Sequence, residues 1–149
     1  MAIQFYFDDV KKPKAFKTKN FKLWIKTIGN HYQTTIVDLS YIFVSDEELF
    51  KTNLQFLNHD TYTDIITFDL SDDEDSVFGE IYISIDRVLD NAKRFEVSIL
   101  DELLRVIAHG LLHLIGFDDK TKTKKSKMTE QENICIQLYH SLLIEKNNP

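Results

Sequence analysis

The chain has little of what marks secreted, membrane or repeat proteins. A single cysteine, Cys135, excludes an internal disulfide and predicts a reducing, cytoplasmic setting. No apolar run reaches membrane-spanning length, because charges interrupt every greasy stretch, so no membrane partner is expected. The opening MAIQFYFDDVKK lacks a basic start followed by an apolar core, and no secretory signal is expected there. Only two prolines punctuate the chain, and it has no internal repeat and no low-complexity linker. What remains is 149 residues, 43% hydrophobic and 28% charged, which is one ordinary globular domain's worth of chain.

The net charge of −6 conceals blocks of opposite sign. Residues 1–30 carry seven lysines against two aspartates, residues 31–119 five basic against nineteen acidic groups, and residues 120–149 six against three. Two basic flanks around an acidic middle could grip a polyanion if folding brings them together; otherwise Lys11 to Lys26 and Lys120 to Lys127 are simply solvated.

Periodicity predicts the elements. IQFYF (3–7) alternates as a strand, and KNFKLWIKTIGN places Phe21, Trp24, Ile25 and Ile28 on one helical face, with Gly29 and Asn30 as its stop. Residues 34–45 are β-branched and aromatic, hence a strand. Ser45 and Glu48 form a capping box for a helix whose apolar face is Leu49, Leu54 and Leu57. Strands follow at 64–70 and 79–85, separated by the acidic loop SDDEDS, and then a short helix over DRVLDNAKRF. Residues 98–116 form a long helix, apolar nearly all round and therefore buried. Thr129 and Glu132 make a second capping box for a last helix reaching about Lys146, lined by Ile134, Leu138 and Leu142. This order predicts a single α+β (α/β-like) domain: a four-stranded mixed sheet packed with about five helices.

At about 100° per residue, Ser98, Glu102, Arg105, His109 and His113 share one stripe of the long helix. A polar stripe on a buried helix must face something wet or charged, so it predicts the floor of a cleft. Histidines at i and i+4 can direct imidazole nitrogens at one cation, although chance readily supplies such a pair. Gly116 is placed to end the helix in a left-handed turn, returning the chain with Asp118 and Asp119 toward the last helical turn. Two histidines and a carboxylate make an open catalytic set, and spacing alone does not choose between the aspartates. Cys135 reads as a core residue, His31 and His140 as surface residues.

The stretch HGLLHLIGFDD (109–119) resembles the signature His-Gly-x-Leu-His-Leu-x-Gly-Tyr-Asp-His of the YbeY family, metal-dependent single-strand endoribonucleases linked to ribosomal RNA maturation. The resemblance extends to Thr63, Asp64, Ile65, Ile66, Thr67 and Phe68 in a second motif, and to GEIYIS (79–84) in a third. It implies one YbeY-like metal-dependent hydrolase domain over 1–149. It also implies one zinc ion, or another divalent cation, on His109, His113 and Asp119, the last standing where the family has a third histidine. Asp118 then orients the loop or a histidine. Phe117 replaces a tyrosine, and Leu57 stands where the family commonly carries an arginine important for activity. Arg105, His59 or a lysine of the 120–127 loop would take over that cationic role, so Arg105 and His59 are the candidate catalytic residues.

The expected function is therefore a zinc-dependent endoribonuclease in ribosomal RNA maturation and ribosome quality control. Its partners would be precursor rRNA and the small ribosomal subunit, not DNA. Two alternatives stand beside it. One is a metallohydrolase of peptides, which would need a glutamate where Gly110 stands. The other is a non-catalytic ribosome-associated factor in which the metal pins the 116–119 turn.

Overall fold

Alternating burial along the strands sets one sheet face against the core and leaves the other to a single helix. The computed structural model describes residues 2–57 and 63–147. In chain order the elements are β1 (Ala2–Phe7), α1 (Thr18–His31), β2 (Thr35–Val44), α2 (Asp46–Leu57), β3 (Ile65–Asp69), β4 (Ser76–Ser84), α3 (Ile85–Arg94), α4 (Ile99–Ile115) and α5 (Lys122–Asn147). The sheet order is β1-β2-β4-β3; β1, β2 and β4 run parallel and β3 is the antiparallel edge. The expected α+β domain with a four-stranded mixed sheet and five helices is what the chain forms.

Leu39, Tyr41, Phe43, Ile81 and Ile83 point from one sheet face into the main core with α1, α4 and α5. The other face carries Ile42, Phe68 and Tyr82 beside a small cluster of Val44, Leu49 and Ile66 under α2. Trp24 locks α1 to α5: fully buried, it lies edge-on to Tyr139 and its indole N–H donates to the Cys135 carbonyl at 2.7 Å. Cys135 is a buried core residue, as its position predicts. His31 is exposed, whereas His140 is half-buried, edge-on to Tyr139.

Four local expectations are corrected. Gly29 and Asn30 do not stop α1, which runs on to His31. Gly29 is there because β2 passes close: a Cβ on it would stand 3.0 Å from the Ile36 Cδ1. Ser45 Oγ does accept from the Glu48 N–H, but the Ser45 N–H turns to Asp9 and the Glu48 carboxylate to Lys51, so only half of the capping box forms. In α2 only Leu49 and Asn53 are buried, while Leu54 and Leu57 are 46% and 39% exposed. They are rotated from Leu49 by about 140° and 80° around the helix, off the stripe that meets the sheet. Finally, α5 begins at Lys122, not near Thr129. Its first turns are lysine-rich and helix-favouring, and Thr121 supplies the cap by accepting from the Lys124 N–H. The buried stripe of α5 is Met128, Glu132, Cys135 and Tyr139; Leu138 and Leu142 pack against it as expected, but Ile134 is outside the core cluster.

Candidate metal centre

The long helix α4 is placed by a cap, a close approach and a stop. Ser98 Oγ accepts from the Asp101 N–H at its start. At Gly110 the helix lies so near the sheet that a Cβ would come 2.9 Å from Ile81 Cγ2 and 3.0 Å from Ile65 Cδ1. At its end Gly116 takes φ +129°, and the Gly116 and Phe117 N–H groups both return to the Leu112 carbonyl at 3.0 Å. Only glycine adopts that backbone without strain, and the turn it makes brings Asp119 back over the helix end.

His109, His113 and Asp119 meet there. The two Nε2 atoms are 3.0 Å apart, His109 Nε2 is 3.6 Å from Asp119 Oδ2, and His113 Nε2 is 3.8 Å from Oδ1. Zinc bonds of about 2.0–2.1 Å at tetrahedral angles separate neighbouring ligand atoms by roughly 3.3 Å. The three spacings bracket that value, so these side chains could hold one divalent cation. Asp118 stays out of the group. It accepts from the Lys120 N–H and from Lys124 Nζ, holding the loop, which draws its carboxyl below the ordinary value.

Sequence reasoning missed the group that orients the pair. With its proton on Nδ1, His109 donates to Glu132 Oε2 at 2.6 Å and presents the Nε2 lone pair to Asp119 and His113. A carboxylate behind a histidine in this way fixes tautomer and ring orientation at metal sites. Burial pulls the His109 pKa down, but the Glu132 hydrogen bond and the charges of Glu132 and Asp119 outweigh it, and the net shift is upward. The His113 pKa is lowered, by burial first and then by His109, which favours the neutral, ligating form.

Arg105 donates to Glu132 Oε1 at 2.8 Å and to Asn133 Oδ1 at 2.9 Å, so it braces the Glu132 carboxylate from the other side. His59 lies outside the described residues, and Leu57 at the end of α2 is partly exposed. The polar stripe of α4 does floor a cleft, of about 740 Å³, with Glu102, Arg105 and His109 on its α4 side and Thr129 and Glu132 on its α5 side.

Glu102 is 8% exposed in that cleft, and its carboxyl is raised from the ordinary value by burial, partly countered by Arg105. The folded state therefore binds this proton more readily than the unfolded chain, and the ionised form costs stability above the raised pKa. Glu102→Gln should raise the denaturation midpoint at neutral pH, with the gain shrinking as the pH falls through the raised pKa. A series of urea midpoints against pH reads it, and a variant less stable at every pH contradicts it.

The two basic flanks are not brought together: α1 packs antiparallel on the C-terminal half of α5, with Asn20 and Leu23 beside Leu142 and Leu143 and Tyr32 beside Gln131, so the start of α1 lies far along α5 from Lys120 to Lys127. Lys17 just before α1, Lys19 and Lys26 on it, and Lys120 to Lys127 before and on α5 are exposed. A second hollow of about 480 Å³, with Gly116, Asp118, Lys124 and Lys127 on its walls, adjoins the turn that carries Asp119. Among the described residues no helix is long and apolar enough to cross a membrane.

Comparison with known proteins gives one consistent result. A family model described as "Endoribonuclease YbeY" matches residues 6–140. A relative from Cytophaga hutchinsonii with that name is 44% identical over 134 residues, covering 90% of this chain and 94% of its own. One from Parabacteroides distasonis is 44% identical over 138 residues, covering 93% and 96%. The solution structure of a protein from Thermotoga maritima superposes with a TM-score of 0.70 at 29% identity, covering 97% of this chain and 93% of that one.

Proposed function

The chain belongs to the YbeY endoribonuclease family, and from that membership we propose that it is a zinc-dependent endoribonuclease cutting single-stranded RNA in ribosomal RNA maturation. The observation that carries this reading is the convergence of His109 Nε2, His113 Nε2 and Asp119 on one point, with Glu132 fixing the His109 tautomer. An ion bound there supplies Lewis acidity that makes phosphodiester hydrolysis feasible near neutral pH. The protein's own part is to hold three ligands in place and leave a further position open. It also lays RNA over the site with the exposed lysines of residues 120–127, which predicts salt-dependent affinity. Arg105 supports Glu132 and is the candidate cation at the cleft wall; His59 is the other candidate to touch substrate. Precursor rRNA on the small ribosomal subunit, in the cytoplasm, is the proposed target.

Asp119 gives the ligand set one negative charge that a third imidazole would not, so we infer a weaker Lewis acid that also accepts harder cations such as manganese. A peptidase reading is disfavoured by Gly110, which has no side chain to act as base and is pressed against Ile81. The test is elemental analysis and single-stranded RNA cleavage on the purified protein and on Asp119→Ala, each with and without chelator. The expected result is metal-dependent cleavage in the parent, with metal retention and cleavage falling together in the variant. Cleavage untouched by both chelator and substitution would overturn the mechanism.

A further inference from the structure

The cleft beside His109 is chemically unsuited to phosphate. Asp64, Asp101, Glu102 and Glu132 line it, and its lining cation Arg105 is already bonded to Glu132 and Asn133. A phosphodiester placed inside would meet like charge from several sides. The mouth differs from the interior. Phe95, between α3 and α4, lines the cleft yet is 60% exposed, with Val97 beside it 41% exposed, so the mouth offers apolar surface to whatever enters. The Arg94 guanidinium lies over the Phe95 ring, 5.5 Å from its centroid, and is itself exposed. Cation and aromatic face thus sit at the rim, and carboxylates sit within.

Single-stranded RNA has the complementary division: an anionic backbone and splayed bases that stack on aromatic rings and are read on their edges. Resting on the ribonuclease reading above, we propose that this cleft is a nucleobase subsite flanking the cut, in which Phe95 stacks the base and Glu102 reads its edge, favouring guanine over uracil. Guanine presents two parallel donors, N1–H and the N2 amino group, to the two oxygens of a carboxylate. Uracil presents one donor between two carbonyl acceptors, which a carboxylate repels. The volume, about 740 Å³, admits a purine. Glu102 is nearly buried in the cleft wall with Asn91 lining the cleft beside it, so the acceptor has little freedom before substrate arrives. Backbone phosphates then follow the rim, past Arg94 on one side and the Lys124 and Lys127 hollow on the other.

The test uses a short fluorescent oligouridylate and the same oligomer with one central guanosine. Binding is read by anisotropy in chelator, so that no turnover intrudes, and cleavage is read separately on the zinc-loaded protein. The full chain should bind the guanosine oligomer about tenfold tighter. Glu102→Gln should close most of that gap, and Phe95→Ala should weaken both oligomers by roughly fivefold or more. Equal affinities in the parent, a gap that survives Glu102→Gln, or a Phe95→Ala protein that binds as the parent does would each overturn the subsite. Absence of cleavage of every oligomer, with the guanosine preference intact, would count against the ribonuclease reading and leave the subsite standing.

Discussion

His113→Ala should lower single-stranded RNA cleavage about a thousandfold in kcat/KM and release the bound metal, while the protein stays folded. The side chain is half-buried at the end of α4 and contributes one of three convergent ligand atoms, so its loss leaves His109 and Asp119 alone. Losing Lewis acidity worth several kcal/mol in the transition state corresponds to about that factor. Glu132→Gln should fall between parent and His113→Ala. It keeps a polar group against His109 Nδ1 but exchanges the carboxylate for an amide, and altering such an orienting partner typically costs about 10–100-fold in metal affinity or activity. Adding zinc in excess should rescue Glu132→Gln and not His113→Ala. A zinc titration of cleavage on the three proteins decides it, and equal rescue of both would remove His113 from the ligand set.

Trp24→Ala should be the most destabilising single change, by about 3–5 kcal/mol, against the roughly 5–15 kcal/mol that holds a typical domain together. The indole is fully buried between α1 and α5, with Phe21 and Tyr139 around it, and its removal leaves a cavity and takes away the second donor to the Cys135 carbonyl, which keeps its helical partner. Trp24→Phe keeps most of the packing and loses the hydrogen bond, and should cost about 1–3 kcal/mol. Cys135 is one helical turn from Glu132, so the alanine variant should also bind metal less tightly although Trp24 is no ligand. Urea unfolding with and without zinc measures both effects. A Trp24→Ala protein with parental metal affinity would show that the site does not depend on the α1–α5 contact.

The convergence of the candidate metal ligands was legible because it is local. His109, His113, Gly116 and Asp119 lie within eleven residues, and helical spacing followed by a left-handed turn is enough to bring them together. Their polar stripe foretold the cleft for the same reason. Glu132 was misread because Thr129 and Glu132 have the spacing of a capping box, which masked the earlier start that Thr121 and the lysines after it give the helix. The available signal was Glu132's place on the stripe of Met128, Cys135 and Tyr139: an acid among apolar neighbours implies a buried partner. Leu54 and Leu57 misled in the opposite direction, since a leucine in a helix need not face the core. Gly29 shows a third kind of failure. A glycine required by a passing strand looks, in one dimension, like a glycine that ends a helix.

His109 has a bond in each direction: Nε2 faces the ligand group and Nδ1 is tied to α5 through Glu132. Seating the last helix and filling the metal position are therefore two halves of one thermodynamic linkage. Whatever free energy an ion lends to the docking of α5, the docked helix returns, undiminished, to the affinity for the ion.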